Sequence, residues 1–197
     1  MIGTIEMTNK KDFDLDVSAI EKIGLGLLNN HVHFLTGEIN EDNIEDTIKW
    51  IVYENITCGP NVKTLTLYIN STGGSLNDSL GLIDIMRESK CPIATIGIGS
   101  ICSAAFMIFS SGYKGKRYIA KNTSIMCHQY TGGIEGKHHD IKSHFKELEL
   151  TNTRMINILK ENTELDTRTI KSKLLNATDV WLTADELIEL GIADDYI

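Results

Sequence analysis

The feature that most constrains this chain is a unit that occurs twice in succession: an apolar, strand-like run, a small-residue turn, and the start of a helix. In the first copy Leu65, Leu67 and Ile69 alternate with Thr64, Thr66 and Tyr68, and the run stops at Asn70-Ser71-Thr72-Gly73-Gly74. Alternation of this kind marks a strand with one face toward a core, and adjacent glycines permit backbone angles that other residues resist. Ser75-Leu76-Asn77-Asp78 then carries a Ser-x-x-Asp cap, followed by Leu80, Ile83 and Met86 at helical spacing. In the second copy Pro92 leads into the apolar run Ile93 to Ile98, the predicted turn Gly99-Ser100-Ile101-Cys102, and a small-residue helix from Ser103 to Gly112. Strands alternating with helices predict an α/β fold on a parallel sheet.

The rest of the chain extends this pattern. Phe34-Leu35 before Gly37 predicts a short strand, and Ile44, Ile48, Ile51 and Val52 share one face of a helix. Ser124 to Gln129 predicts a further strand, followed by a glycine-rich extended piece from Tyr130 to Lys137. Ile141, Phe145, Leu148, Met155 and Leu159 then recur at steps of three, four and seven, the signature of a long helix with a narrow apolar stripe. Thr183-Ala184-Asp185-Glu186 is a capping box for a last short helix that Gly191 ends. Residues 1–30 show no clear period and read as an arm or loop. Residues 31–197 read as one domain.

Composition excludes several classes of function. A chain of 197 residues with 42% hydrophobic content can bury one real core. Its net charge of −8 opposes binding to nucleic acid, which relies on clustered Lys and Arg. Neither Gly115-Lys116-Arg117 nor Gly136-Lys137-His138 completes a phosphate-binding loop, so any use of ATP falls to a partner. No apolar run in the first thirty residues is long enough to cross a bilayer, and no secretory leader pattern is present there. Cys58, Cys91, Cys102 and Cys127 match neither a disulfide nor a zinc spacing, which points to a reducing cytoplasm. His138, His139 and His144, like His31 and His33, read as surface or edge residues, and no metal or cofactor is expected.

A serine becomes a nucleophile only when a base takes its proton, a third group orients that base, and donors await the oxyanion. Ser103 follows an apolar strand and begins a helix, where unpaired backbone N–H groups favour negative charge. The Ala104 amide is then one candidate oxyanion donor, and the Gly74 amide at the equivalent turn is a second. His128, near the end of its strand, is the candidate base. Most helix-start serines are simple caps, and most lone histidines in apolar strands are structural, so the case rests on the combination.

That combination resembles the ClpP peptidase family. The resemblance is carried by Tyr68-Ile69-Asn70-Ser71-Thr72-Gly73-Gly74-Ser75, Gly97-Ile98-Gly99-Ser100-Ile101-Cys102-Ser103-Ala104-Ala105, Ser111-Gly112-Tyr113-Lys114-Gly115-Lys116-Arg117-Tyr118 and Met126-Cys127-His128-Gln129, in family order. It implies a serine endopeptidase with Ser103 as nucleophile, His128 as base, and the Gly74 and Ala104 amides as the oxyanion hole. Asp179-Val180-Trp181-Leu182-Thr183-Ala184 is similar to the family segment bearing the catalytic acid, which assigns that role to Asp179; Asp166 and Asp185 fit less well. The family fold is crotonase-like, with repeated β-β-α units and a protruding handle of extended strand and long helix, here about residues 130–161. The family assembly is a homo-oligomer of two stacked seven-membered rings, a tetradecamer that cuts unfolded protein delivered by a separate AAA+ unfoldase.

The sequence departs from the family in four places. Thr72 replaces a common Pro, Ala104-Ala105 replace Met-Gly, Thr178 replaces an Arg that helps couple the rings, and Glu88 stands where an aromatic is common. The rival readings are an inactive ring scaffold, against which the intact Ser103 and His128 weigh, and a crotonase-type acyl-CoA enzyme, which would use Glu or Asp as acid and base. An α/β-hydrolase would need Gly-x-Ser-x-Gly, which the residues around Ser103 lack.

Overall fold

A computed structural model describes residues 18–197. Its centre is a parallel sheet in the order β1 (Val32–Thr36), β2 (Leu65–Ser71), β3 (Ile93–Cys102), β4 (Arg117–Ile119) and β7 (Asp195–Tyr196). In β2 the predicted alternation is a burial alternation, with Leu65, Leu67, Ile69 and Ser71 inside. The crossovers β1–α2–β2, β2–α3–β3 and β3–α4–β4 use α2 (Glu41–Thr57), α3 (Leu76–Glu88) and α4 (Ala104–Ser110). These helices pack in series, α2 on α3 and α3 on α4. Every residue of α4 is buried, so this helix runs through the core rather than over it.

Strand β3 is longer than the predicted run because the expected turn at residues 99–102 is not a turn. The strand passes through Gly99 at φ +61 and continues to Cys102. Up to Gly97 it pairs with β4; from Ser100 to Cys102 it pairs with β5 (Ser124–Cys127) on the same side. On its other side the register against β2 shifts between Ile69 and Ser71, and the Asn70 side chain bridges the irregularity by accepting from the Ser100 N–H at 3.0 Å. This bulge re-aims the last three residues of β3.

The recurring unit is therefore β-α rather than β-β-α, and the latter order occurs once among the described residues, as β4–β5–α5. Helix α5 (His138–Asn162) is the predicted long helix, but the stripe is buried only from Thr151 onward. From Thr131 to Leu150 no residue is buried, and Phe145 is 62% exposed. The expected extended piece at Tyr130 to Lys137 forms no strand within the chain. Of the segment expected as an arm or loop, residues 1–17 lie outside the described residues, and Ala19–Asn29 form a helix, α1, opened by a Ser18–Glu21 capping box.

The C-terminal part closes the sheet. After α6 (Thr167–Lys173), β6 (Val180–Leu182) pairs antiparallel with β5, and α7 (Ala184–Glu189) starts on the predicted Thr183–Glu186 capping box. Arg117 of β4 is 1% exposed and forms a two-pronged pair with Asp194, Nη2 to Oδ1 at 2.6 Å and Nε to Oδ2 at 2.9 Å. Asp194 also accepts the Gly115 and Arg117 backbone N–H groups. Burial alone would raise its pKa, but these hydrogen bonds and the Arg117 charge outweigh burial and hold the carboxyl below its ordinary value.

Candidate active site

Ser103 sits where β3 becomes α4, at the carboxyl edge of the parallel sheet, the edge where α/β folds place their ligands. Its backbone is left-handed, φ 54 and ψ −121, a conformation that costs a non-glycine residue roughly 1–3 kcal/mol. Two backbone interactions hold it there: its N–H donates to the Met126 carbonyl at 2.8 Å, and its carbonyl accepts from the Phe106 N–H at 3.0 Å. A capping serine would bond its hydroxyl to the first-turn amides, and Ser103 makes no such bond. Its Oγ lies instead 2.7 Å from Nε2 of His128.

His128 follows directly on β5, so the pairing of β3 with β5 is what brings it and Ser103 together. The next residue, Gln129, donates from Nε2 to the Leu175 carbonyl and anchors the exit from the strand. Asp179 precedes β6, and the pairing of Val180 with Cys127 brings it to the far side of the imidazole. There the closest approach, Nδ1 to Oδ1, is 3.9 Å, an ion-pair distance longer than a hydrogen bond, and the Asp179 side chain is 58% exposed. Asp166 caps α6 through the Thr169 N–H and Asp185 accepts the Tyr196 hydroxyl, so both have other tasks.

The oxyanion candidates have free amides. The Ala104 N–H opens α4 and has no carbonyl within the helix to bond. Gly74 forms a parallel bridge with Ile39 in which the bonds come from the Gly73 carbonyl and the Ser75 N–H, leaving the Gly74 N–H itself outside the pairing. Gly74 must be glycine, because at φ +148 a Cβ would strike the Ile39 carbonyl oxygen. Ser71, which sequence reasoning missed, accepts the Gly73 N–H on its buried Oγ at 3.0 Å and shapes this turn. Gly74, Ser103, Ala104 and His128 line one cleft.

The Cys127 thiol, next to His128 in the chain, is disfavoured as a nucleophile. It is pushed up to about 12, chiefly by burial and secondly by Cys102 beside it. Among the described residues no three His, Cys, Asp or Glu side chains converge as a metal site. A larger cavity of about 240 Å³ lies at the opposite, amino edge of the sheet. Its histidine, His31, is engaged on both ring nitrogens, by Glu54 at 2.8 Å and Lys63 at 3.0 Å, and is not available as a base.

The sequence model of the Clp protease family matches residues 17–197. The chain belongs to the Clp protease family. The match spans the whole sheet and all of the residues around the cleft, so a Clp-type peptidase is the class of enzyme to which this arrangement belongs. Against the family background the buried Arg117–Asp194 pair acquires a place: it ties the strand of the Gly-Lys-Arg run to the last strand of the Clp protease domain. No helix among the described residues is long and apolar enough to cross a membrane.

Proposed function

We propose that the chain is a serine endopeptidase subunit in which Ser103 attacks the peptide carbonyl and His128 Nε2 takes the hydroxyl proton. The observation that carries this reading is the 2.7 Å approach of the two side chains beside two amides that have no other acceptor. As the serine oxygen bonds to carbon, the carbonyl oxygen gains negative charge and is held by the Gly74 and Ala104 N–H groups. One such donor is commonly worth about 2.7–4 kcal/mol in the transition state. His128 then delivers its proton to the leaving amine, and water, deprotonated by the same imidazole, releases the acyl group from Ser103. Asp179, on the Nδ1 side, stabilises the cationic imidazole through its charge and fixes the tautomer once it closes from 3.9 Å to hydrogen-bond distance.

The assembly we propose is two stacked heptameric rings enclosing these sites in the cytoplasm, with no metal or cofactor. Support comes from what one chain leaves uncovered: the first half of α5, the unpaired stretch before it, and a row of apolar residues across the sheet. Phe34, Tyr68, Ile96 and Tyr118 are register partners on four adjacent strands, and Phe34 stacks on Tyr68 at 4.8 Å. Such a row suits docking of an AAA+ unfoldase, which would supply the ATP hydrolysis and feed unfolded polypeptide. The four cysteines are free thiols, in keeping with a reducing compartment.

A fluorophosphonate probe tests the chemistry. The expected result is one label per subunit, mapped by mass spectrometry to Ser103 and abolished in both Ser103→Ala and His128→Ala. Labelling elsewhere, or none, would overturn the proposal.

A further inference from the structure

Two of the four thiols meet far from the cleft, at the amino edge of the sheet. Cys58 ends α2, where its N–H donates to the Glu54 carbonyl at 2.8 Å. Cys91 stands just before Pro92 and β3, and its N–H donates to Ser89 Oγ at 3.2 Å. Asn55 of α2 ties the two segments together, its side-chain oxygen accepting the Lys90 N–H at 2.9 Å. Both thiols line the same cavity, and they hydrogen-bond to each other. Burial first, and then this bond and the Cys58 charge, raise the pKa of the Cys91 thiol.

The two sulfurs differ in access. Cys91 is 2% exposed, whereas Cys58 is half-buried. A peroxide-responsive dithiol needs this combination: one sulfur that the oxidant reaches, and a protected thiol in contact with it. Hydrogen peroxide transfers one oxygen to Cys58, leaving a sulfenic acid and one water. The Cys91 sulfur then attacks the Cys58 sulfur, forming an S–S bond of about 2.05 Å and expelling a second water. Peroxide is reduced by two electrons and the thiol pair is oxidised by two. Cys102 and Cys127 do not offer this chemistry. Both are buried, and because Cys102 is the register partner of Met126, the Cys127 side chain leaves the sheet on the opposite face.

We infer that Cys58 and Cys91 form a reversible, peroxide-responsive disulfide, with Cys58 oxidised first and Cys91 resolving it. The bond joins the end of α2 to the start of β3 and closes a covalent loop around β2, the Gly73-Gly74 turn and α3. Such a loop stabilises the fold by restricting the unfolded chain. In a reducing compartment the pair stays open until peroxide rises, and a dithiol reductant opens it again. The serine reading proposed above is not needed for this inference.

The test treats the assembled full-length protein with hydrogen peroxide, alkylates the remaining thiols under denaturing conditions, and maps the products by mass spectrometry. The expected result is a linked Cys58–Cys91 peptide that dithiothreitol reverses, with Cys102 and Cys127 alkylated. In Cys91→Ser, dimedone, which captures sulfenic acids, should label Cys58; in Cys58→Ser it should leave Cys91 unlabelled. The oxidised wild type should melt several degrees above the reduced protein, and peroxide should not raise the melting temperature of Cys58→Ser. A disulfide between Cys102 and Cys127 or between subunits overturns the inference, as does a pair that stays reduced while peroxide oxidises free glutathione under the same conditions. Dimedone on Cys91 in Cys58→Ser overturns the order of oxidation, and an unchanged melting temperature after the bond has formed overturns its stabilising role.

Discussion

A Cβ added to Gly73 would lie 2.8 Å from the Cβ of Ser103 and 2.8 Å from the Cys102 carbonyl oxygen. Backbone at φ +98 makes the same position unfavourable for any side chain, so space and conformation both demand glycine. Gly73→Ala should displace the turn that presents the Gly74 amide, lowering turnover by about a hundredfold, the cost of one lost oxyanion donor. Steady-state kinetics on a soluble variant with a normal circular dichroism spectrum is the measurement, and near-normal turnover would remove the turn from the site.

Asp179 is assigned as the orienting acid although it stands 3.9 Å from the imidazole. Asp179→Asn should reduce turnover by about 10⁴ with the fold intact, as loss of the corresponding acid does in other serine triads. If Asp179→Asn retains turnover while Ser103→Ala is dead, the acid is another residue.

The Arg117–Asp194 pair sets an acid limit on stability. Because the Asp194 carboxyl is held below its ordinary value in the folded chain, its contribution is complete above the unfolded carboxyl pKa of about 4 and disappears as pH falls through the lower, folded value. Asp194→Asn should blunt that part of the acid transition. At neutral pH it strands the buried Arg117 charge, a loss of about 3 kcal/mol. Thermal melts of both proteins from pH 7 down to pH 3 test the sign and the window.

The uncovered stretch from Thr131 to Leu150 and the exposed Phe145 call for neighbouring chains. Native mass spectrometry in physiological salt should give a ring or double-ring mass. A species at 21.9 kDa would contradict the assembly.

Glu88 ends α3, at a position where the resemblance to the ClpP family leads to the expectation of an aromatic residue. A charge there weakens an apolar docking surface, so the choice of unfoldase should differ from that of typical relatives. The protein alone should cleave short peptides and spare a folded reporter; adding a suitable AAA+ unfoldase and ATP should start its degradation, and Glu88→Phe should alter which unfoldases serve. Reporter loss without any ATPase would contradict the chamber, whereas unchanged unfoldase dependence in Glu88→Phe would contradict only the docking role.

What was legible in the sequence was what is locally encoded. The alternation in β2 and the caps at Ser75 and Thr183 each depend on residues within a few positions, and all are present. Gly99 misled for the opposite reason: alone it signals a turn, yet the Asn70 side chain and the new partner β5 carry the strand through it. Helix α1 has no buried residue and hence no burial period, and the Ser18–Glu21 capping box was the signal available. At the site, Ser103 and His128 could be nominated from turn chemistry and resemblance. Their meeting depends on β5 lying beside the end of β3, and strand order is not written in either strand. The approach of Asp179 depends likewise on β6, a strand of three residues too short to show a pattern.

The left-handed backbone at Ser103 has an evolutionary consequence. Glycine adopts such angles at no steric penalty, so a change of Ser103 to glycine would relieve the local strain while deleting the oxygen proposed to attack the substrate. On that proposal, loss of catalysis and relief of backbone strain lie in the same direction at this position. On the proposed serine mechanism, a lineage released from selection for proteolysis would meet little resistance in drifting toward a well-folded, silent subunit.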